Sequence, residues 1–206
     1  MATEVGIANL ALSRLGQKAN VSSLSPPEGA AEAQHCAVWL PMARDALLSL
    51  HTWSFATVRS RPAERALSDP DLYAEWAYVY ARPNNCLRIL AVLPTGYVNQ
   101  ILDAQPFSAE TAEDGSDLIL TNTPEAILRW IKRVTNPAVY SPVFVEALSF
   151  MLASALAGPI LKGEEGRKAA LEHYNTAMSL VNLASGQDAM QSRLLDQYLP
   201  VWLTDR

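Results

Sequence analysis

Apolar residues recur along this chain with two different periods, and the points where the period changes divide it. Over residues 3–15, and again from about Ser25 to Leu50, the repeat is helical. Ile7, Leu10, Ala11 and Leu15 share one face of the first segment. Thr3 can cap it, Glu4 suits the positive end of the helix dipole, and Gly16 supplies a stop. In the second segment Cys36, Leu40, Ala43, Leu47 and Leu50 recur at steps of four and three. Ser25-Pro26-Pro27-Glu28 predicts its start, with a capping serine, a first-turn proline and a capping-box glutamate. Pro41 lies inside it and predicts a kink, because an internal proline removes a hydrogen bond and costs about 3 kcal/mol in an isolated helix.

After His51 the pattern shortens towards two. Residues 53–60 predict a short strand, 61–71 a loop, 76–81 a strand, and Pro83-Asn84-Asn85 a turn. Residues 87–93 read as a further strand stopped by Pro94 and Thr95-Gly96, and 98–102 as another. Residues 107–122 form the clearest hairpin, because Asp114-Gly115 accepts the positive φ of a tight turn. Residues 126–134 alternate, with Ile127, Arg129, Ile131 and Arg133 on one face and Leu128, Trp130, Lys132 and Val134 on the other. A helix of two and a half turns is the rival reading, and the tryptophan and β-branched content favours strand.

The helical period then returns. Ser141-Pro142 caps a helix that should run to about Ala157 and break at Gly158-Pro159. Glu164 and Glu165 open another, with Ala170, Tyr174, Ala177 and Val181 on one face and Gly186 as its end. Asp188-Ala189-Met190-Gln191 resembles one more capped start. The fold class that follows is mainly α within an α+β mix: a helical bundle of about four to five helices with an inserted antiparallel β subdomain. The helical domain would be discontinuous, 1–52 and 137–206, the β-rich subdomain 53–136, and 186–206 a C-terminal tail. Trp53, Phe55, Trp76, Tyr78 and Tyr80 suggest one aromatic core where the two layers meet.

Composition narrows the function classes. Half of the 206 residues are hydrophobic and 18% are charged, below the ~25% usual for soluble domains. Either a large core or surface buried between subunits accounts for that. A formal net charge of −5 disfavours a chain built to grip nucleic acid. Cys36 and Cys86 show no zinc-type spacing and form no disulfide framework, which suits a reducing cytoplasm. The N-terminal apolar residues lack a basic n-region, so no secretory signal is expected. The stretch 143–161 comes nearest to a membrane span. It carries Glu146, Ser149, Ser154, Gly158 and Pro159 and reads better as a buried helix.

Candidate chemistry is sparse. No GxSxG, HExxH, GxxxxGK[ST] or GxGxxG pattern occurs, and His35, His51 and His173 lie far apart. His35-Cys36 could suggest a nucleophile pair, but consecutive helix residues point apart and Cys36 belongs to the apolar face. Glu110, Glu113, Asp114 and Asp117 cluster in the hairpin. They admit a carboxylate-based hydrolase, although acidic residues around a tight turn are ordinarily solvated. Gly163-Glu164-Glu165-Gly166 has the spacing of a nucleic-acid clamp, but its acids would repel phosphate. Arg129, Lys132 and Arg133 beside Trp130 form a candidate basic patch facing a partner or DNA, with an ordinary exposed strand face as the default reading. Tyr198, Leu199, Val201, Trp202 and Leu203 gather near the C-terminus, as an anchor for a partner or as a segment packed on its own subunit.

Four stretches in order, IANLALSRLGQ, RDALLSLHTWSFA, WAYVYARPNNCLRI and TNPAVYSPVFVEALSFMLASALA, resemble the tail tubular protein A family of short-tailed bacteriophages. The resemblance spans about residues 5–180, with Pro41 and the tail departing from it. It implies a head-to-tail adaptor in the virion tail, assembled in the host cytoplasm. The adaptor would be a ring of typically about twelve subunits, closed by a heterologous interface. Its partners would be further copies of itself, the portal protein and the next tail component, with no membrane involved. DNA would pass through without specific binding. The resemblance implies no catalysis, no cofactor and no metal. It gives the C-terminal segment to the portal and the β subdomain to the next tail component. The competing expectations are a carboxylate-based cell-wall hydrolase and a nucleic-acid-binding regulator.

Overall fold

A computed structural model of the chain describes residues 2–66, 70–96 and 104–197. The chain divides into two compact units: the sequence up to His51 together with that from Thr135 onward, and Thr52–Val134 between them. Among the described residues there are four α-helices and two antiparallel three-stranded sheets, an α+β fold.

The helical unit begins with α1 (Glu4–Arg14). Thr3 caps it, its hydroxyl accepting from the Gly6 N–H at 3.0 Å, and Gly16 turns the chain away at φ 69°. Its buried side is Ile7, Ala8, Ala11 and Leu12. Leu10, expected on that side, lies at its edge and is 37% exposed. The connector that follows is pinned by Asn9, whose amide donates to the Val21 carbonyl at 2.9 Å and accepts from the Val21 N–H at 3.0 Å.

Helix α2 spans Ala31–Leu50, so it starts later than the Ser25 motif predicts. That motif closes a loop on itself instead. The Glu28 carboxylate accepts from the Ser22 N–H at 3.1 Å and from its hydroxyl, and Ser23 donates to the Pro26 carbonyl at 2.7 Å. Local side-chain bonds of this kind compete with helix initiation, and Ala30 precedes α2 with no side-chain cap. Pro41 sits within an unbroken helix with its ring on the solvent side. Cys36, Leu40, Ala43 and Leu47 are buried as expected, joined by Ala33 and Leu48, while Leu50 is 46% exposed.

Helix α3 (Pro142–Leu161) is the central helix of the unit and packs against α1 and α2 and the helix that follows it. Ser141 caps it, accepting from the Phe144 N–H at 3.3 Å. Being packed on several sides explains why it is apolar nearly all round. It is long and apolar enough to cross a membrane by length and composition, and half of it is buried within the fold. Its polar groups are satisfied: Ser149 is fully buried, accepts from Arg14 Nε at 3.0 Å and donates to the Glu146 carbonyl at 2.7 Å. Arg14 also pairs with Glu146 at 2.7 Å and lies 3.5 Å over the Phe150 ring.

Gly158-Pro159 does not break α3. The proline falls in the last turn, where it removes only one interior bond, and the helix closes on the Lys162 N–H donating to Gly158 O at 3.1 Å. Lys162 and Gly163, at φ 59° and 56°, then reverse the chain into α4 (Gly163–Gln197). The returning helix approaches closely. A Cβ on Gly166 would stand 2.9 Å from the Ala157 carbonyl, and the Ser154 hydroxyl donates to Ala170 O at 2.8 Å. Gly186 does not end α4, and no separate helix starts at Asp188. A glycine costs a helix about 1 kcal/mol, but it stops one only where the backbone turns left-handed, as at Gly16 and not at Gly186.

The strands of the second unit are β1 (Thr57–Ser60), β2 (Tyr78–Ala81), β3 (Cys86–Leu93), β4 (Phe107–Thr111), β5 (Asp117–Thr121) and β6 (Ile127–Lys132). They form two sheets, ordered β1-β6-β3 and β2-β5-β4. Residues 54–56, expected in a strand, form a short 3-10 turn before β1. The strand expected from Trp76 begins at Tyr78, and the expected strand at 98–102 lies outside the described residues. The hairpin of β4 and β5 turns at Gly115 with φ 80°. Of residues 126–134, Ile127–Lys132 form a strand as expected, and this β6 is the middle of its sheet.

One face of each sheet meets the other over Tyr80 and Ile119 on one side and Val92, Leu128 and Trp130 on the other, with Ala126 between. Tyr80 completes this layer, its hydroxyl donating to the Thr123 carbonyl at 3.0 Å and accepting from the Ala126 N–H at 3.3 Å. The far face of the second sheet holds a smaller cluster, Val79, Leu118 and Leu120, against Tyr73, Trp76 and Ala112. Both faces of β5 are therefore buried, which is why its apolar residues run on without alternation.

Candidate interaction surfaces

The aromatic residues that the sequence gathers into one core separate into three places. Trp53 is buried and pairs with half-buried Phe55 at 6.1 Å between ring centroids. Tyr78 and Tyr80 stack at 6.5 Å and belong to the inter-sheet layer. Trp76, just ahead of the strand, packs on the opposite face of that sheet. Strand alternation would put Trp76 on the face of Tyr78 and Tyr80, but Trp76 precedes β2 and escapes that alternation, so aromatic spacing alone does not define a single cluster.

The acidic hairpin is tied into its own unit. Asp114 pairs with Arg65 at 2.6 Å and accepts from Ser116 N at 3.0 Å and Ser116 Oγ at 2.5 Å. Asp117 pairs with Arg82 at 3.6 Å and accepts from Thr111 Oγ1 at 3.1 Å, and Glu110 accepts from Ser108 at 2.7 Å. No group of three or more His, Cys, Asp or Glu that could hold a metal ion occurs among the described residues. The Ser116 hydrogen bonds, and then Arg65, hold the Asp114 carboxyl at about 2, below its ordinary 3.8. A carboxyl held ionised in this way is a poor proton donor at neutral pH.

The depression of Asp114 has a sign. Its contribution to stability is complete above its unfolded value near 3.8 and is lost as pH falls towards about 2. In denaturant titrations between pH 5 and pH 2, Asp114→Asn should lose less stability than the wild type over that window. Parallel curves for the two proteins would contradict the hairpin electrostatics.

Cys36 is fully buried in α2, and burial, with Glu32 adding to it, pushes its thiol up to about 11. It stays protonated at neutral pH, as a buried structural cysteine does, and His35-Cys36 makes no activated nucleophile. The Gly163 to Gly166 segment opens α4, and its Glu164 pairs with Arg167 one turn later.

The expected basic patch does not form one surface. Arg129 is half-buried and faces the same side of the sheet as Ile127 and Ile131, whereas Lys132 is exposed on the Trp130 side. Arg133 follows the end of β6, and its N–H donates to Asn85 O at 2.8 Å. The apolar anchor Tyr198, Leu199, Val201, Trp202 and Leu203 lies outside the described residues.

A surface that sequence reasoning missed lies on α2. Val38 and Met42 are 61% and 58% exposed at i and i+4, and exposed Ala46 and Leu50 continue the stripe. The helix is therefore apolar on its outer side as well as its inner one, an arrangement expected of a helix covered on both sides. A second exposed apolar pair, Leu171 at 63% and Tyr174 at 43%, stands on α4. The signal was present in the sequence, since Ala31, Val38, Met42 and Ala46 leave the outer side of the α2 helix with few charges. No family model matches the chain, and no curated protein matches it.

Proposed function

We propose that the chain is a structural head-to-tail adaptor of a short-tailed bacteriophage, of the tail tubular protein A kind. It forms a ring of about twelve subunits between the portal and the next tail component. It works by assembly and by giving DNA a passage, without catalysing a reaction, in a virion assembled in the host cytoplasm. The inserted β unit is the part that meets the next tail component. The ordered sequence resemblance supports this reading, and one structural observation carries it: the exposed stripe Val38, Met42, Ala46 and Leu50 on α2. A second apolar pair, Leu171 and Tyr174, stands on a different helix of the same unit. Two unlike apolar patches on one subunit suit a heterologous contact, in which the patch of one copy meets the other patch of the next and the series closes into a ring. A low charged fraction, 18% of the chain, fits a surface partly covered by neighbours.

The tail gives a direct test of the portal contact. Removing residues 198–206 should leave the circular dichroism spectrum and thermal unfolding almost unchanged and abolish co-sedimentation with the cognate portal. If the shortened chain docks as well as the full one, Tyr198, Leu199, Val201, Trp202 and Leu203 are not the anchor.

A further inference from the structure

Register places three arginines from three different strands on one face of the β1-β6-β3 sheet. Arg59 of β1 stands directly opposite Arg129 of β6, and Arg88 of β3 stands opposite Ile131, two residues along the same face of β6. Neighbouring strands lie about 4.8 Å apart, so Arg59 and Arg129 are immediate cross-strand neighbours and Arg88 stands one strand beyond them on the same face. Arg59 is exposed and the other two are half-exposed. Between them Ile131 is fully buried, which fixes the strand that carries Arg129.

Like charges directly opposite on a sheet destabilise it, and this chain has a net charge of −5 with acidic residues in excess. Elsewhere in the same unit arginines are answered. Arg65 pairs with Asp114, Arg82 with Asp117, and Arg61 approaches Glu125 at 3.9 Å. Arg59, Arg88 and Arg129 form no ion pair among the described residues. An uncompensated cationic row is a cost to the free fold that an anionic ligand would remove.

We propose that this row is a contact for the phosphate backbone of DNA. Arginine forks match phosphate oxygens two at a time. The aromatic residues of the described strands, Trp130, Tyr78, Tyr80 and Phe107, lie in the layer between the sheets, so among these strands no ring stands on the arginine face for a base to stack on. The contact therefore reads charge and not sequence, and three arginines in an acidic protein make it weak and salt-sensitive. The acidic hairpin of a second copy is the less favoured occupant, because Asp114 and Asp117 are already engaged with arginines of their own unit. The contact is a property of the single chain and does not depend on ring formation.

Fluorescence anisotropy of a labelled duplex of arbitrary sequence, titrated with the unassembled chain, tests it. Binding should appear at low salt, be independent of sequence, and weaken with a log–log salt slope of about −2.7, from about 0.9 for each of three phosphates. Arg59→Gln, Arg88→Gln and Arg129→Gln should each reduce the slope by about 0.9, with circular dichroism confirming the fold. Lys132→Gln, on the opposite sheet face, should change nothing. A poly-glutamate peptide that binds more tightly than the duplex at equal charge would reassign the row to an acidic protein segment and overturn the phosphate assignment. Absent binding at low salt, or equal loss from Lys132→Gln and Arg129→Gln, would also overturn it. Ring assembly is measured separately, so failure here leaves the adaptor reading standing.

Discussion

Trp130→Ala should destabilise the chain by about 3–5 kcal/mol, the largest effect expected of any single substitution in the β unit. Trp130 is 6% exposed on the middle strand of its sheet, opposite Val58 and Ile89, and belongs to the layer that joins the two sheets. Truncation leaves a large cavity between β-structure on both sides, which can collapse little because Tyr80 is fixed through its hydroxyl to Thr123 and Ala126. The indole N–H donates to Ser60 at 2.9 Å. Trp130→Phe should therefore cost distinctly less, because it keeps a ring and because half-exposed Ser60 can turn to water. Denaturant unfolding followed by near-UV circular dichroism measures both. A loss below about 1 kcal/mol for the alanine variant would mean that this layer is not the core of the unit.

The double substitution Val38→Asp with Met42→Asp should remove self-association and leave the subunit folded. Both side chains are mainly in solvent, so the change should cost the free subunit within about 0.5 kcal/mol for each site. In an assembled ring the same positions would bury two carboxylates against apolar groups with no counter-charge, which costs several kcal/mol and weakens association by orders of magnitude. Sedimentation velocity at matched concentrations, with thermal unfolding as the control, separates the two effects. Unchanged assembly would place the subunit contact elsewhere.

Much of the secondary structure could be read from period and punctuation. The cap at Thr3, the stop at Gly16, the hairpin at Asp114-Gly115 and the alternating strand at Trp130 each carry a local physical signal that the fold keeps. The misses share a cause: a local signal overridden by something distant or by a rival local bond. Ser25 and Glu28 have the right spacing for a capping box, but Glu28 turns back to Ser22. Gly158-Pro159 and Gly186 look like breaks, yet α3 carries the proline only in its last turn, and Gly186 keeps a helical backbone. The reading of 143–161 as a buried helix agrees with the packing of α3 against α1, α2 and α4.

The interaction surfaces were less legible than the elements. Arg59, Arg88 and Arg129 are scattered in sequence, and only cross-strand register brings them to one face. Conversely, Arg129 and Lys132 are close in sequence and are separated by the period of two. The stripe on α2 needed to be seen as exposed before its apolar character meant anything, because the helix has an equally apolar buried side.

Electron microscopy of the purified chain mixed with the cognate portal tests the adaptor reading most directly. The expected result is a ring of about twelve copies seated on one end of the portal, with a continuous central channel. A portal unchanged in outline, beside a chain that stays monomeric at saturating concentration, would contradict it.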